Sequence, residues 1–229
     1  MAKKKKNANY VTAKTLEKKA AIERAVKSKK KRKRALIIGG AVAGVIAVVA
    51  LVLTLIITSL SGPDLTVTHH ATIKIKGYDE TIHVELYGNE APGTVKNFVE
   101  LAEDGFYDGL TFHRIIEGFM MQGGRNSNYD AETINGEFKA NGFENLIKHE
   151  RGVISMARGK DYNSATTQFF IVHKDSPHLN DNYAAFGKVT SGMRVVDDIC
   201  ENIENNDGNG GVALGRQPII EYISIHAAH

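Results

Sequence analysis

One cysteine, four prolines and no tryptophan occur in 229 residues. A single thiol excludes an intrachain disulfide, so any domain here must be held by packing and hydrogen bonds alone. Cys200 sits among Val195, Val196, Ile199 and Ile203 at helical spacing, which predicts a buried structural thiol rather than a reactive one. Paired Cys/His spacings of the zinc type are absent. His69–His70 and the His226/His229 pair fall in segments read as a linker and a frayed end, so no metal is expected and no cofactor either. P-loops, dinucleotide fingerprints and the nucleophile motifs of hydrolases are missing too. Gly208-Asn209-Gly210-Gly211 lacks the strand-to-helix setting that phosphate binding needs, and reads as a loop.

Acidic residues are scarce in one place and charge of any sign is absent in the next. Residues 1–34 carry 15 Lys+Arg against only Glu17 and Glu23. Of the chain's 29 basic and 26 acidic residues this leaves 14 and 24 for the remainder, a net of −10. The overall +3 therefore describes neither part. A nucleic-acid partner is excluded for the larger part, because an acidic surface repels phosphates. The basic run Lys29-Lys30-Lys31-Arg32-Lys33-Arg34 closes a tail whose like charges predict disorder, with a weak amphipathic helix over 14–27. Residues 35–60 then contain no charged side chain. A bilayer needs ~20 apolar residues of helix, so this run predicts a transmembrane segment. Basic residues stay cytoplasmic, and after the span the first Lys or Arg is Lys74. The expected topology is a basic cytoplasmic tail at 1–34, a signal-anchor at 35–60, a linker at 61–70 and an extracytoplasmic domain at 71–229. The rival is a cleaved signal peptide, with Ser59-Leu60-Ser61 as a small-x-small site; the typical apolar core of those is only ~7–15 residues. Gly40 and Gly44 have the spacing of a helix-dimerisation face, which is also ordinary in membrane helices. The basic block suits contact with anionic lipid.

From Ala71 the pattern changes to period two. Ile73 and Ile75 alternate with polar residues, as do Ile82, Val84 and Leu86, with Gly77-Tyr78-Asp79-Glu80 between them. This predicts a β-hairpin with one buried face. A helix follows, with Pro92 near its start, Val95, Phe98, Val99 and Ala102 on one face, and Gly105 as its stop. Short strands are expected at 111–116, 119–123, 152–157, 168–173, 184–190 and 219–226, and a second helix at about 192–204. Many short strands with two helices argue for one antiparallel sheet, closed or sandwiched, in a mainly β domain.

Three segments carry the chemistry. The first is Phe112-His113-Arg114-Ile115-Ile116-Glu117-Gly118-Phe119-Met120-Met121-Gln122-Gly123-Gly124. The second runs from Gly152-Val153-Ile154-Ser155-Met156-Ala157 to Thr167-Gln168-Phe169-Phe170-Ile171. The third runs from Pro177-His178-Leu179 to Tyr183-Ala184-Ala185-Phe186-Gly187-Lys188-Val189. In order and spacing they resemble the cyclophilin family of peptidyl-prolyl cis–trans isomerases, in a bacterial style, from about Ala71 to the end of the chain. The resemblance implies a closed eight-stranded antiparallel barrel with two capping helices and an isomerase groove on its outer surface. It implies that Arg114 is the catalytic arginine and that Phe119, Met120, Phe170 and Leu179 form an apolar proline pocket. By the same resemblance Gln122 and Gln168 hydrogen-bond the substrate backbone and the arginine, and Ala157 lies beside the bound peptide. His178 stands where many members carry Trp, which puts tight cyclosporin binding in doubt; Tyr183 stands where many carry His and still offers a hydroxyl. The loop from Arg158 to Thr166 is one residue longer than the common pattern, brings two extra basic groups, and is expected to tune which residues flank the proline.

The chemistry asks for little else. An X-Pro bond turns over a barrier of ~18–20 kcal/mol because its C–N bond has double-bond character. Twisting the amide localises a lone pair on the proline nitrogen. A donor aimed there binds the transition state better than the ground state. Arg114 can be that donor, since its guanidinium is a rigid and permanent cation; strict alternation puts it on one strand face with Phe112, opposite His113 and Ile115. Proline-containing polypeptides are thus the expected partners. A non-catalytic proline-segment chaperone or a membrane scaffold would use the same pocket.

Overall fold

The computed structural model describes residues 23–24, 26–33, 44, 46–53, 65–204 and 208–228. The chain divides into two compact units, Met1–Gly62 and Pro63–His229. In the first unit every described residue is helical and exposed. Among the described residues no helix is long and apolar enough to cross a membrane. Of the expected span only residues 44 and 46–53 are described; the rest of 35–60, and residues 1–22, 25 and 34 of the tail, lie outside the described residues.

The second unit begins with the hairpin the alternation predicts. Strands β1 (His69–Ile75) and β2 (Ile82–Leu86) pair antiparallel, with Ile73 opposite Ile82 and Ala71 opposite Val84. Their inward residues Ala71, Ile73, Ile75, Ile82, Val84 and Leu86 are almost wholly buried. β1 starts earlier than the sequence suggests. His69 and His70 pair with Ala227 and His226 of the last strand, so these histidines belong to a ladder, not to a linker and a frayed end. A distant edge strand supplies their backbone partners, and no local pattern shows it. Among the described residues no group of three or more potential ligands could hold a metal.

Helix α1 (Pro92–Glu103) starts on Pro92, whose missing N–H costs nothing at a helix start. It ends as Gly105 predicts. Gly105 N–H bonds to the Ala102 carbonyl and Phe106 N–H to the Leu101 carbonyl, with Gly105 at φ +67°. Its N-terminus is capped from far away: the Glu137 carboxylate accepts the Gly93 and Thr94 N–H groups, both at 2.8 Å. The expected strands then follow as β3 (Phe112–Ile116), β4 (Met120–Gly123), β5 (Val153–Met156), β6 (Phe169–Val172), β7 (Ala185–Ser191) and β8 (Ile220–Ala227). Helix α2 (Met193–Asn202) lies between the last two.

The eight strands form one antiparallel sheet in the order β3-β4-β6-β5-β7-β2-β1-β8. Its two edges meet. Thr111 bridges Ile219, Phe112 N–H reaches the Pro218 carbonyl at 2.9 Å, and Ile220 N–H reaches the Leu110 carbonyl at 2.8 Å. The barrel expected from the motifs is thus present, closed by bridging residues beside β3 and β8 and not by a further ladder. Val95, Phe98 and Val99 of α1 and Val195, Val196 and Ile199 of α2 share one core with the inward residues of the sheet. Phe98, Tyr107, Phe112 and Phe169 meet there at centroid distances of 5.3–5.8 Å, mostly edge to face. Cys200 is buried in the same core, and burial pushes its thiol up to about 12, as a structural role requires.

Candidate active site

Pairing of β4 with β6 puts Met121 opposite Ile171 and Gln122 opposite Phe170. Period two then sends Met121, Phe169 and Ile171 into the barrel core. The alternate residues Met120, Phe170 and Val172 point the other way and build a second apolar cluster with Leu179, Ile147 and Val153; Phe119, Ala157 and Tyr183 pack around it. A cavity of about 140 Å³ opens there, lined by Arg114, Phe119, Met120, Gln122, Ala157, Arg158, Phe170, Leu179 and Tyr183.

Arg114 reaches the cavity through an irregularity. The β3–β4 register steps from Phe112–Gly123 to Arg114–Gln122, so His113 is an extra residue in the ladder. Phe112 and Ile115 both face the core, which strict alternation forbids. The expectation that Arg114 shares a face with Phe112 is therefore corrected: the bulge turns Arg114 outward while Phe112 stays inside. His113, pressed against the barrel, has its pKa lowered to about 4, first by burial and then by the charge of Arg125. The Arg114 Nε donates to the Asn209 carbonyl at 2.8 Å, and its guanidinium carbon lies 6.0 Å from the Phe119 ring centre. Gly210 supports this anchor: its φ is +84° and a Cβ there would meet the Ile115 carbonyl at 2.6 Å. The glycine-rich stretch 208–211 is a loop, as the sequence predicts, and it clamps Arg114.

The described hydrogen bonds pair the two glutamines with each other and not with Arg114. Gln122 Nε2 donates to Gln168 Oε1 at 3.0 Å, and the described arginine contacts go to Asn209 and Met120 instead. Gln168 stands behind Gln122 and does not line the cavity. His178 is exposed outside the cavity, its ring 5.2 Å from that of Phe119. It lies in a 3₁₀ turn that buries Leu179 and leaves His178 on the other side. Tyr183 stands edge-on to Phe170 with centroids 6.0 Å apart.

Residues away from the motifs hold these parts in place. His149 stacks on Phe170 at 6.1 Å and is bonded through Nε2 to Ser155 Oγ at 3.0 Å and through Nδ1 to Asn180 Oδ1 at 3.2 Å. Burial lowers its pKa to about 4. His173 accepts the Gly118 N–H on Nδ1 at 2.9 Å, and its Nε2 lies 3.3 Å from Asp197. Asp197 in turn takes a two-pronged contact from Arg151 at 2.6 and 2.8 Å, which holds its carboxyl below the usual range. The turn carrying Phe119 is therefore fixed from α2. Arg158 opens the loop that departs from the family pattern, and only the fold shows that its side chain reaches the cavity wall.

Comparison with known proteins agrees with this geometry. The family profile described as "Cyclophilin type peptidyl-prolyl cis-trans isomerase/CLD" matches residues 70–225. The chain is 47% identical over 127 residues to peptidyl-prolyl cis-trans isomerase B of Bacillus subtilis, covering 55% of this chain and 85% of that protein. It is 38% identical over 166 residues to peptidyl-prolyl cis-trans isomerase A of Dickeya dadantii, covering 70% and 87%. A cyclophilin-type isomerase of Cryptosporidium parvum, solved in the presence of the dipeptide Ala-Pro, superposes with a TM-score of 0.58 at 28% identity over 69% of this chain and 99% of that one. The chain belongs to the cyclophilin family of peptidyl-prolyl cis–trans isomerases.

Proposed function

We propose that the Arg114 cavity is the site at which this isomerase turns X-Pro bonds, and that it serves polypeptides outside the membrane that residues 35–60 span. One observation carries the catalytic part: Arg114 borders a cavity of proline size beside Phe119, Met120, Phe170 and Leu179, and among the described residues its guanidinium is bonded through Nε to a carbonyl and to no carboxylate. Phe119, Met120, Phe170 and Leu179 hold the ring by apolar contact. Remaining guanidinium N–H groups meet the proline nitrogen as its lone pair localises, and this interaction strengthens on the way to the twisted amide. Gln122, placed by Gln168, and the Tyr183 hydroxyl bind the peptide backbone beside it. No proton changes hands, so the step needs no titrating group.

The anchor is supported by the 26 uncharged positions of 35–60 behind a strongly basic run. Residues 46–53 are helical and leave Ile46, Val48, Val49, Leu51 and Leu53 more than half exposed, an apolar surface suited to lipid. Residues 1–34 then lie on the cytoplasmic side against anionic headgroups.

The test uses the full-length protein in non-ionic detergent and a blocked Ala-Ala-Pro-Phe peptide. Wild type should speed cis–trans exchange, and Arg114→Ala should lower kcat/KM about 100-fold, in the range seen when one transition-state donor is removed. Equal rates for the two proteins would remove Arg114 from the mechanism. Extraction at high pH and protease protection in vesicles check the anchor: residues 65–229 should be cut only from the extracytoplasmic side.

A further inference from the structure

Isomerisation requires one cation, yet the cavity has two. Arg158 lines the same cavity as Arg114, from a loop that the catalytic chemistry does not use. Its guanidinium carbon lies 4.7 Å from the Tyr183 ring centre, 5.0 Å from Tyr162 and 5.2 Å from Phe138. Nε and Nη2 donate to the Asn182 carbonyl at 3.0 and 2.9 Å, and Nη1 donates to the Gly159 carbonyl at 2.9 Å. All of these partners are uncharged. They fix the orientation of the group and leave its charge in place.

Among the described residues no acidic side chain pairs with it. Among the described residues neither Arg114 nor Arg158 lies within 4.0 Å of a carboxylate oxygen, and the cavity wall contains no Asp or Glu. Carboxylates are otherwise plentiful from residue 35 onward, with 24 against 14 basic residues. A basic concavity with apolar walls on an acidic domain concentrates negative charge locally. An arginine already immobilised by rings and carbonyls gives up little conformational freedom when it meets a carboxylate.

We infer that Arg158 is a specificity-determining residue that favours substrates with an Asp or Glu side chain next to the isomerising proline. The inference rests on the isomerase reading of the cavity. The bland alternative is that Arg158 only ties its loop to the Tyr183 wall, in which case its loss would affect all substrates alike.

The experiment compares kcat/KM of the full-length protein for blocked peptides with Glu, Ala or Lys immediately before the proline, and for a second set with the same residues immediately after it. In at least one set wild type should prefer Glu to Lys by roughly two- to five-fold, the effect of one partly exposed ion pair. The preference should shrink in 0.5 M salt, collapse in Arg158→Gln and persist in Arg158→Lys. A Glu-to-Lys ratio unchanged by Arg158→Gln in both sets would overturn the inference while leaving the isomerase intact. Failure to accelerate any peptide would overturn both.

Discussion

Strands β4 and β6 present two apolar faces that look alike in sequence and do different work. On the inner face Met121, Phe169 and Ile171 are wholly buried among rings from α1 and β3. On the outer face Met120 and Phe170 are almost as buried, but they border an open cavity with an arginine at its edge. An ordinary antiparallel strand on a barrel turns polar residues outward. Here the outward apolar residues are covered by the 3₁₀ turn at Pro177–Leu179 and by Tyr183, leaving a gap shaped for a guest. A second apolar face on a short strand thus marks a binding site, provided that something only partly covers it.

The largest test of this contrast pairs neighbouring residues. Phe169→Ala removes a ring in contact with Phe98, Tyr107 and Phe112 and should cost about 3–5 kcal/mol of stability in urea unfolding. Phe170→Ala should cost less, ~3 kcal/mol, because one side of its ring borders the cavity, yet it should raise KM while the protein stays folded. Equal stability losses with equal activity losses would abolish the distinction between the faces.

Acid should separate the faces next. His149 lies under the outer cluster with a folded pKa of about 4, against 6.5 unperturbed. The unfolded chain therefore binds the proton more readily. The stability contributed by keeping His149 neutral is complete above pH 6.5 and is lost as pH falls from there toward 4. Between pH 7 and pH 5 the loss should be ~1–2 kcal/mol for this residue, and His149→Gln should flatten the dependence. A pH profile unaltered by that substitution would place the acid sensitivity elsewhere, with His113 the next candidate.

The smallest effect belongs to the inner side. Glu137→Gln keeps the size of the capping side chain but removes its charge and one of its two acceptor oxygens, and should cost ~1 kcal/mol without changing kcat/KM. A matching loss of activity would show that α1 communicates with the outer face.

Much of this protein is set locally. The apolar periodicities of Ala71–Leu86 and Val95–Ala102, with Pro92 and Gly105 as punctuation, specify the hairpin and α1, because side-chain period and backbone preference act over a few residues. The motif segments name Arg114, Phe119, Met120, Gln122, Ala157, Phe170, Leu179 and Tyr183, and the fold brings all eight to one cavity. What the chain order could not state depends on partners far away. The bulge that turns Arg114 outward is a mismatch between two strands, visible only once β4 sets the register. The Asn209 carbonyl that anchors it is 95 positions distant, and the β1 extension to His69 needs β8 beside it. Gln122 takes Gln168 as its acceptor because β4 and β6 lie side by side, and Arg158 reaches the wall because three rings from separate segments converge on it. Hydrophobic pattern and turn chemistry are properties of neighbours in sequence, whereas register, hydrogen-bond partner and charge environment are properties of neighbours in space.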